Sequence, residues 1–224
     1  MTDKTLEKQF QGQIELKKQK GLAKLGVKTS HTWYIDPKRL LFSLSRYKFV
    51  AKMLDGKNKV LEIGCGDAFC SRIVRQAVKH LTVTDIDPLF IEDALERDDE
   101  KWNMEYKVLN ILEESFDEEF DAAYSLDVIE HIPPEQTNVY IQNIARSLNK
   151  TGVFIVGTPS LNSQAYASEN SKIGHINCMN APELKENLMK YFNNVFIFSM
   201  NDEVVHTGYY PMAHYLFALC TDKK

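Results

Sequence analysis

The segment Val60-Leu61-Glu62-Ile63-Gly64-Cys65-Gly66-Asp67-Ala68 restricts the fold of this chain more than any other. A buried-strand pattern runs into two glycines one residue apart, and a helical pattern over 69–78 follows. Glycine there permits a tight turn and lets backbone approach a ligand closely, and the helix that follows aims free N–H groups at it. A dinucleotide fingerprint needs a third glycine at position 69, where Phe69 stands, and the chain has no GxxxxGKS or GxxxxGKT run. Downstream, Leu81-Thr82-Val83-Thr84-Asp85 ends a second strand with an acid. A carboxylate placed there accepts both hydroxyls of a ribose. Its competing role is to cap a helix starting at Pro88, for which Asp87 is the rival.

From Asp55 onward short apolar runs alternate with helical spacing. Strands are expected at 59–63, 81–84, 105–109, 120–125 and 153–157, with helices at 69–78, 89–95 and 135–148. That alternation predicts an α/β fold with a mostly parallel sheet covered by helices on both faces. Strand-like runs at 195–200 and 214–220 flank a turn-rich stretch and predict an antiparallel C-terminal hairpin at one sheet edge. Residues 1–28 are polar and lysine-rich, and Leu6, Phe10 and Ile14 recur at helical spacing. A second helix is expected after Pro37 with Asp36 as its N-cap, burying Leu40, Leu41, Leu44, Tyr47, Val50, Ala51 and Leu54. No linker divides the chain. Residues 1–54 read as an N-terminal helical extension or lid, and 55–224 as the main domain.

Composition narrows the function. Charged residues make up 26% of the 224 and hydrophobic ones 44%, which argues against disorder. A formal charge of -4 offers no general attraction to nucleic acid or to an anionic membrane. No apolar run is long enough for a membrane span, and the N-terminus lacks the apolar core of a signal peptide. Cys65, Cys70, Cys178 and Cys220 form no disulfide framework or paired zinc motif, so they read as reduced thiols of a cytoplasmic protein.

The runs VLEIGCGDAFCS, TDIDP, FDAAYSLDVIEHI and LNKTGVFIVGTPS, in that order, resemble the motifs of class I S-adenosylmethionine-dependent methyltransferases. The resemblance covers roughly residues 55–160 and implies a Rossmann-like, seven-stranded sheet with S-adenosylmethionine as cofactor. It places Glu62, Gly64, Cys65 and Gly66 on the cofactor-binding turn and Asp85 on the ribose, with Ile86 beside it. Asn110 and Ile111 fall near the adenine, and Ser125 and Leu126 at the cofactor's methionine end. Ala68 departs from the family's frequent third glycine.

The acceptor side is less explicit. Asp127-Val128-Ile129-Glu130-His131 follows the fourth strand and is similar to a segment of the ubiquinone-biosynthesis O-methyltransferases, in which acids and a histidine gather a divalent cation. Within one helical turn Asp127, Glu130 and His131 would share a face, and such an oxygen-rich set suits magnesium or manganese. His131 reads either as a metal ligand or as a base beside a hydroxyl acceptor. His175 and His206 are further catalytic candidates, each in a polar stretch past the core. Trp33, Tyr34, Arg46 and Tyr209 are candidates for the acceptor site: aromatic faces for the sulfonium, a guanidinium for a carboxylate of cofactor or acceptor. The expected function is methyl transfer to a hydroxyl oxygen of a small polar metabolite or sugar. RNA modification and a non-catalytic regulatory subunit remain the alternatives.

Overall fold

The computed structural model describes residues 4–117 and 119–224; residues 1–3 of the expected extension, and Glu118, lie outside the described residues. Strands β1 (Lys59–Ile63), β2 (His80–Asp85), β3 (Glu105–Val108), β4 (Phe120–Leu126) and β5 (Leu148–Pro159) run parallel to one another. Strands β6 (Phe192–Asn201), β7 (Val204–His206) and β8 (Tyr215–Lys223) complete an eight-stranded sheet in the order β3-β2-β1-β4-β5-β8-β6-β7. The sheet is thus one strand wider than expected. Asp202, at φ 49°, turns the chain back after β6, and three residues pair as β7, too few to show in the sequence pattern. The two expected C-terminal strands, β6 and β8, do pair antiparallel toward one edge of the sheet. β8 inserts between β5 and β6, antiparallel to both, and the short β7 forms the edge.

Side chains alternate across the sheet and build a core on each face. Leu61, Ile63 and Ala123 point to one face, where α6 (Thr137–Ser147) and α8 (Ala181–Met189) cover them with Tyr140, Ile141, Ile144, Leu184 and Leu188. Val60, Ala122 and Tyr124 point to the other, under α3 (Lys38–Met53), α4 (Ser71–Arg75) and α5 (Pro88–Leu95). The three-layer architecture follows directly from this two-sided burial.

Ahead of β1 the described residues carry three α-helices, α1 (Gln11–Lys20), α2 (Val27–Ile35) and α3. α3 buries Tyr47, Val50, Ala51 and Leu54 as expected, but Leu41 faces solvent and Asp36 makes no capping bond at its start. α1 buries nothing: Leu6 and Phe10 are exposed, so the apolar spacing there serves no packed face. No described helix is long and apolar enough to cross a membrane.

Candidate functional site

The turn after β1 sits at the carboxyl end of the sheet. Gly64 and Gly66 adopt φ of 77° and 53°, and Ala68, at 51°, takes the same left-handed region at the cost of a β-carbon. The amides of Gly64 and Cys65 donate to the Thr84 carbonyl, and that of Gly66 donates to Asp85 Oδ2 at 2.8 Å, so the two strand ends are laced together. A β-carbon on Gly64 would stand 2.2 Å from Val128 Cγ2. Beneath the turn Glu62 is buried, and Tyr47 and Tyr124 donate to its two oxygens at 2.6 and 2.7 Å. Burial pushes its carboxyl pKa up. Glu62 therefore anchors the floor of the turn, and its carboxylate is already occupied from below.

The rest of the proposed nucleoside path lies along the same edge. Asp85 is half-buried, and Ile86 beside it is 63% exposed, an apolar face beside a carboxylate. Asn110 follows β3 and accepts the Leu112 amide, while Ile111 is buried. Ser125 lies inside, donating to the Ile63 carbonyl and accepting from Tyr140, so its hydroxyl is spoken for. Cys65 and Leu126 line a small cavity of about 50 Å³ between the turn and α2, shared with Lys28, Thr32, Ser43 and Asp127. A far larger cavity, about 920 Å³, lies behind the turn, under α1 and against Trp102 and Tyr106. It is the space left by the poorly packed α1, away from Asp85 and the histidines.

Helix α2, which the sequence pattern did not reveal, is fastened over the turn by the turn's own acid. Asp67 is buried; its carboxylate accepts the Thr29 amide at 2.6 Å and the Thr29 hydroxyl at 3.0 Å. That caps the first turn of α2 from outside the helix. Gly26 is obligatory there, since a β-carbon would stand 2.4 Å from Asp67. Asp93 adds a bond to the Val27 amide, and Arg97 ties Asp93 to the Asp67 carbonyl.

Past β4 the acceptor-side candidates separate into two groups. Asp127, at φ 57°, turns toward α3, where one Arg46 nitrogen donates to both its oxygens at 3.0 and 2.8 Å. The Arg46 guanidinium also lies 3.8 Å over the Tyr215 ring. Arg46 is thus paired with Asp127 of the same chain, and Asp127 lies outside the group of ligand atoms that Glu130 and His131 form with His175. His175 takes its place. Glu130, His131 and His175 bring one ligand atom each to within 4.8 Å of one another. His131 sits on a 3-10 turn, Ile129–His131, and its ring lies 5.4 Å from that of His175 after α7 (Glu169–Gly174).

The polar bonds around these rings fix their chemistry. His131 Nδ1 bonds the Gly174 carbonyl at 2.8 Å, and a carbonyl oxygen only accepts, so Nδ1 carries a hydrogen and the ring is held through that atom. His175 Nδ1 faces Gln164 Oε1 at 2.9 Å in the same sense. Burial, and then the neighbouring His131, hold His175 below the ordinary imidazole range, which keeps it neutral near pH 7. Glu130 is fully buried, with Thr158 donating to Oε2 at 3.1 Å and Oε1 left without a partner. Burial, then the charge of Asp127, raise its carboxyl to about 8. An unpaired buried carboxyl oxygen thus lies close to two imidazole rings.

Four candidates lie elsewhere. His206, on the edge strand β7, bonds Asn201 Oδ1 through Nε2 and accepts the Gly208 amide at Nδ1, both of which hold the hairpin together. Tyr209 is 72% exposed beyond that edge. Trp33 and Tyr34 are 51% and 84% exposed, because α2 turns Thr29 and Thr32 toward the cavity instead. Sequence reasoning missed the Asp67–Thr29 cap, and Asp67 was legible only as part of the glycine turn.

Comparison with known proteins agrees with this geometry. Residues 60–152 match the family described as a methyltransferase domain. No curated protein matches the sequence. Among solved structures, the chain is similar to a methyltransferase held in complex with the Haloferax volcanii Trm112 methyltransferase activator, at TM-score 0.67 and 13% identity, over 86% of this chain and 97% of that one. It is also similar to the N-methyltransferase NodS of Bradyrhizobium japonicum WM9 bound to S-adenosyl-L-homocysteine, at TM-score 0.60 and 20% identity, over 85% and 91%. The CurJ carbon methyltransferase follows at TM-score 0.64 and 13% identity, over 88% and 58%. These likenesses show the fold. The residues here fit the same cofactor: two glycines at positive φ, one of them with no room for a β-carbon, a carboxylate at the end of β2, and an exposed apolar face beside it.

Proposed function

We propose that this protein is a class I S-adenosylmethionine-dependent methyltransferase that places the methyl group on a hydroxyl oxygen of a small polar metabolite or sugar, a reading supported by the fold and the matched methyltransferase domain. S-adenosylmethionine supplies, when bound, a methyl group activated by its positive sulfur. The chain's residues then have three tasks: hold the nucleoside, align the acceptor, and take its proton. Gly64, Gly66 and Asp85 serve the first, with Ile86, Asn110 and Ile111 along the base.

The observation that carries the oxygen assignment is the paired imidazoles. Both are held through Nδ1, which leaves Nε2 of the neutral ring to accept, as a hydroxyl acceptor demands and an already nucleophilic amine does not. His131 takes the hydroxyl proton; Glu130, His131 and His175 would hold a divalent cation, which would supply a Lewis acid that lowers the pKa of the acceptor hydroxyl. A set of two imidazoles and one carboxylate favours manganese or another first-row transition ion over the magnesium that an acid-rich set would take.

Turnover of labelled S-adenosylmethionine against a panel of sugars, hydroxylated metabolites and amines tests the reading. His131→Ala is expected to lower the rate by about 10²–10⁴ on the hydroxyl acceptor while cofactor affinity stays. Chelator followed by manganese separates the two forms, since only the metal form loses and regains activity. Transfer confined to amines, with His131→Ala fully active, would overturn the proposal.

A further inference from the structure

We infer that the large cavity under α1 is a second binding site, and that its ligand is an uncharged aromatic molecule. The inference is independent of the reaction proposed above, because neither Asp85 nor a histidine lines this space. At about 920 Å³ it falls within the size of pockets that enclose small organic ligands, which run to roughly 1,000 Å³. Apolar surface faces the gap from both sides. Toward the sheet, Leu44, Phe69, Ile73, Met104 and Tyr106 pack against the core yet are only partly buried, and Trp102 joins them in the wall. Toward α1, Leu16 and Leu22 line the same space while 55% and 74% exposed. A helix of 10 residues is marginal by itself in water, and α1 buries none of them. An ion pair from Lys20 to Asp99, at 2.8 Å, straps its last turn across the opening. A molecule in the gap gives α1 the packing that the chain does not supply, and covers the half-exposed rings below it.

The charges around the cavity decide the class of its ligand. Basic and acidic residues in the lining balance once Asp93, which pairs with Arg97 at 2.9 Å, is counted. Lys20 and Asp99 satisfy each other, Asp98 accepts the Tyr106 hydroxyl, and Lys101 lies 4.9 Å over the Trp102 ring. Asp67 is committed to Thr29, and Arg72 donates to the Arg97 carbonyl. No excess of either sign is left to meet an ionised ligand, and an ion carried against the apolar wall would lose its hydration without a partner. Phe69, Trp102 and Tyr106 supply three rings to that wall, which suit a planar ring system in offset or edge contact.

Fluorescence titration of the intact chain with N-phenyl-1-naphthylamine, an uncharged probe, tests this. Its emission is expected to rise and saturate at a single site, and saturating S-adenosyl-L-homocysteine should leave it bound. The related 8-anilino-1-naphthalenesulfonate carries the same rings and a sulfonate, and should bind about tenfold more weakly. Leu16→Glu combined with Leu22→Glu sets charge on the outer wall at two exposed positions where folding does not depend on the side chain. It should weaken the uncharged probe by about tenfold. Ile73→Trp fills the gap from the other side and should also weaken it; if that variant fails to fold, the double glutamate variant still decides. Unsaturable binding, displacement by S-adenosyl-L-homocysteine, a preference for the sulfonate, or full affinity in the double glutamate variant would each overturn the assignment.

Discussion

Gly64 and Glu130 show how single residues set the conditions of this site. Gly64 meets two independent demands, a φ of 77° and the Val128 methyl that would lie 2.2 Å from its β-carbon. Gly64→Ala is expected to destabilise the fold by more than about 2 kcal/mol, from the strained dihedral and the clash together. Adding Val128→Ala should return only part of that, because the backbone demand persists; full recovery in denaturant titration would show that φ at Gly64 carries no cost. Glu130 has the opposite character, a carboxyl held in its neutral form. Its folded pKa, raised by burial and by Asp127, lies at about 8, whereas an unfolded carboxylate ionises near about 4.3. Across that window the folded state binds the extra proton, so this residue's effect is to make stability fall as pH rises. In chelator-treated protein, Glu130→Gln should therefore gain stability relative to the parent between about pH 5 and pH 8. Parallel denaturation curves for the two proteins across that range would rule it out.

At the scale of elements, the parallel half of the fold was readable and the rest was not, for identifiable reasons. β1, β2 and β4 declare themselves as apolar runs ending at a glycine turn or an acid, because both faces of a central strand are buried. α8 was missed although its signal is present: Asn180 and Glu183 form a reciprocal capping box with Pro182 in the first turn. α2 carried no such signal. Its cap, Asp67, comes from a residue distant in sequence, so no local pattern reports it. The same is true of the histidine cluster. Glu130 and His131 are adjacent in the chain, but His175 reaches them only through α7 and the Gly174 carbonyl. The distant cap makes a prediction of its own. Asp67→Asn keeps the shape but weakens the charged cap, and should cost about 1 kcal/mol while raising amide exchange through residues 27–35. Exchange unchanged in that stretch would mean that the Asp93 and Arg97 bonds hold α2 by themselves.

For the whole molecule, stability is unevenly spread between the two ends of the chain. α1 buries no residue, whereas β8 fills the sheet between β5 and β6 with Tyr215, Leu216, Phe217, Ala218 and Cys220 all buried. Removing residues 1–20 should shift the melting temperature by only a few degrees, while Leu216→Ala, which empties a fully buried site, should cost about 2–5 kcal/mol. A melting temperature that collapsed on truncation would show that α1 packs more tightly than its exposure indicates. The double duty of Asp67 has a kinetic corollary. One carboxylate belongs to the glycine turn and, through Thr29, to the helix above it, so any opening of α2 would have to break that bond along with the Asp93 bond to Val27. If α2 is the lid of the proposed cofactor site, exit of the spent nucleoside and the breathing of α2 would share a clock. At saturating acceptor, turnover would be paced by how often the lid opens, and loosening Asp67 would speed release while loosening the grip on the incoming cofactor.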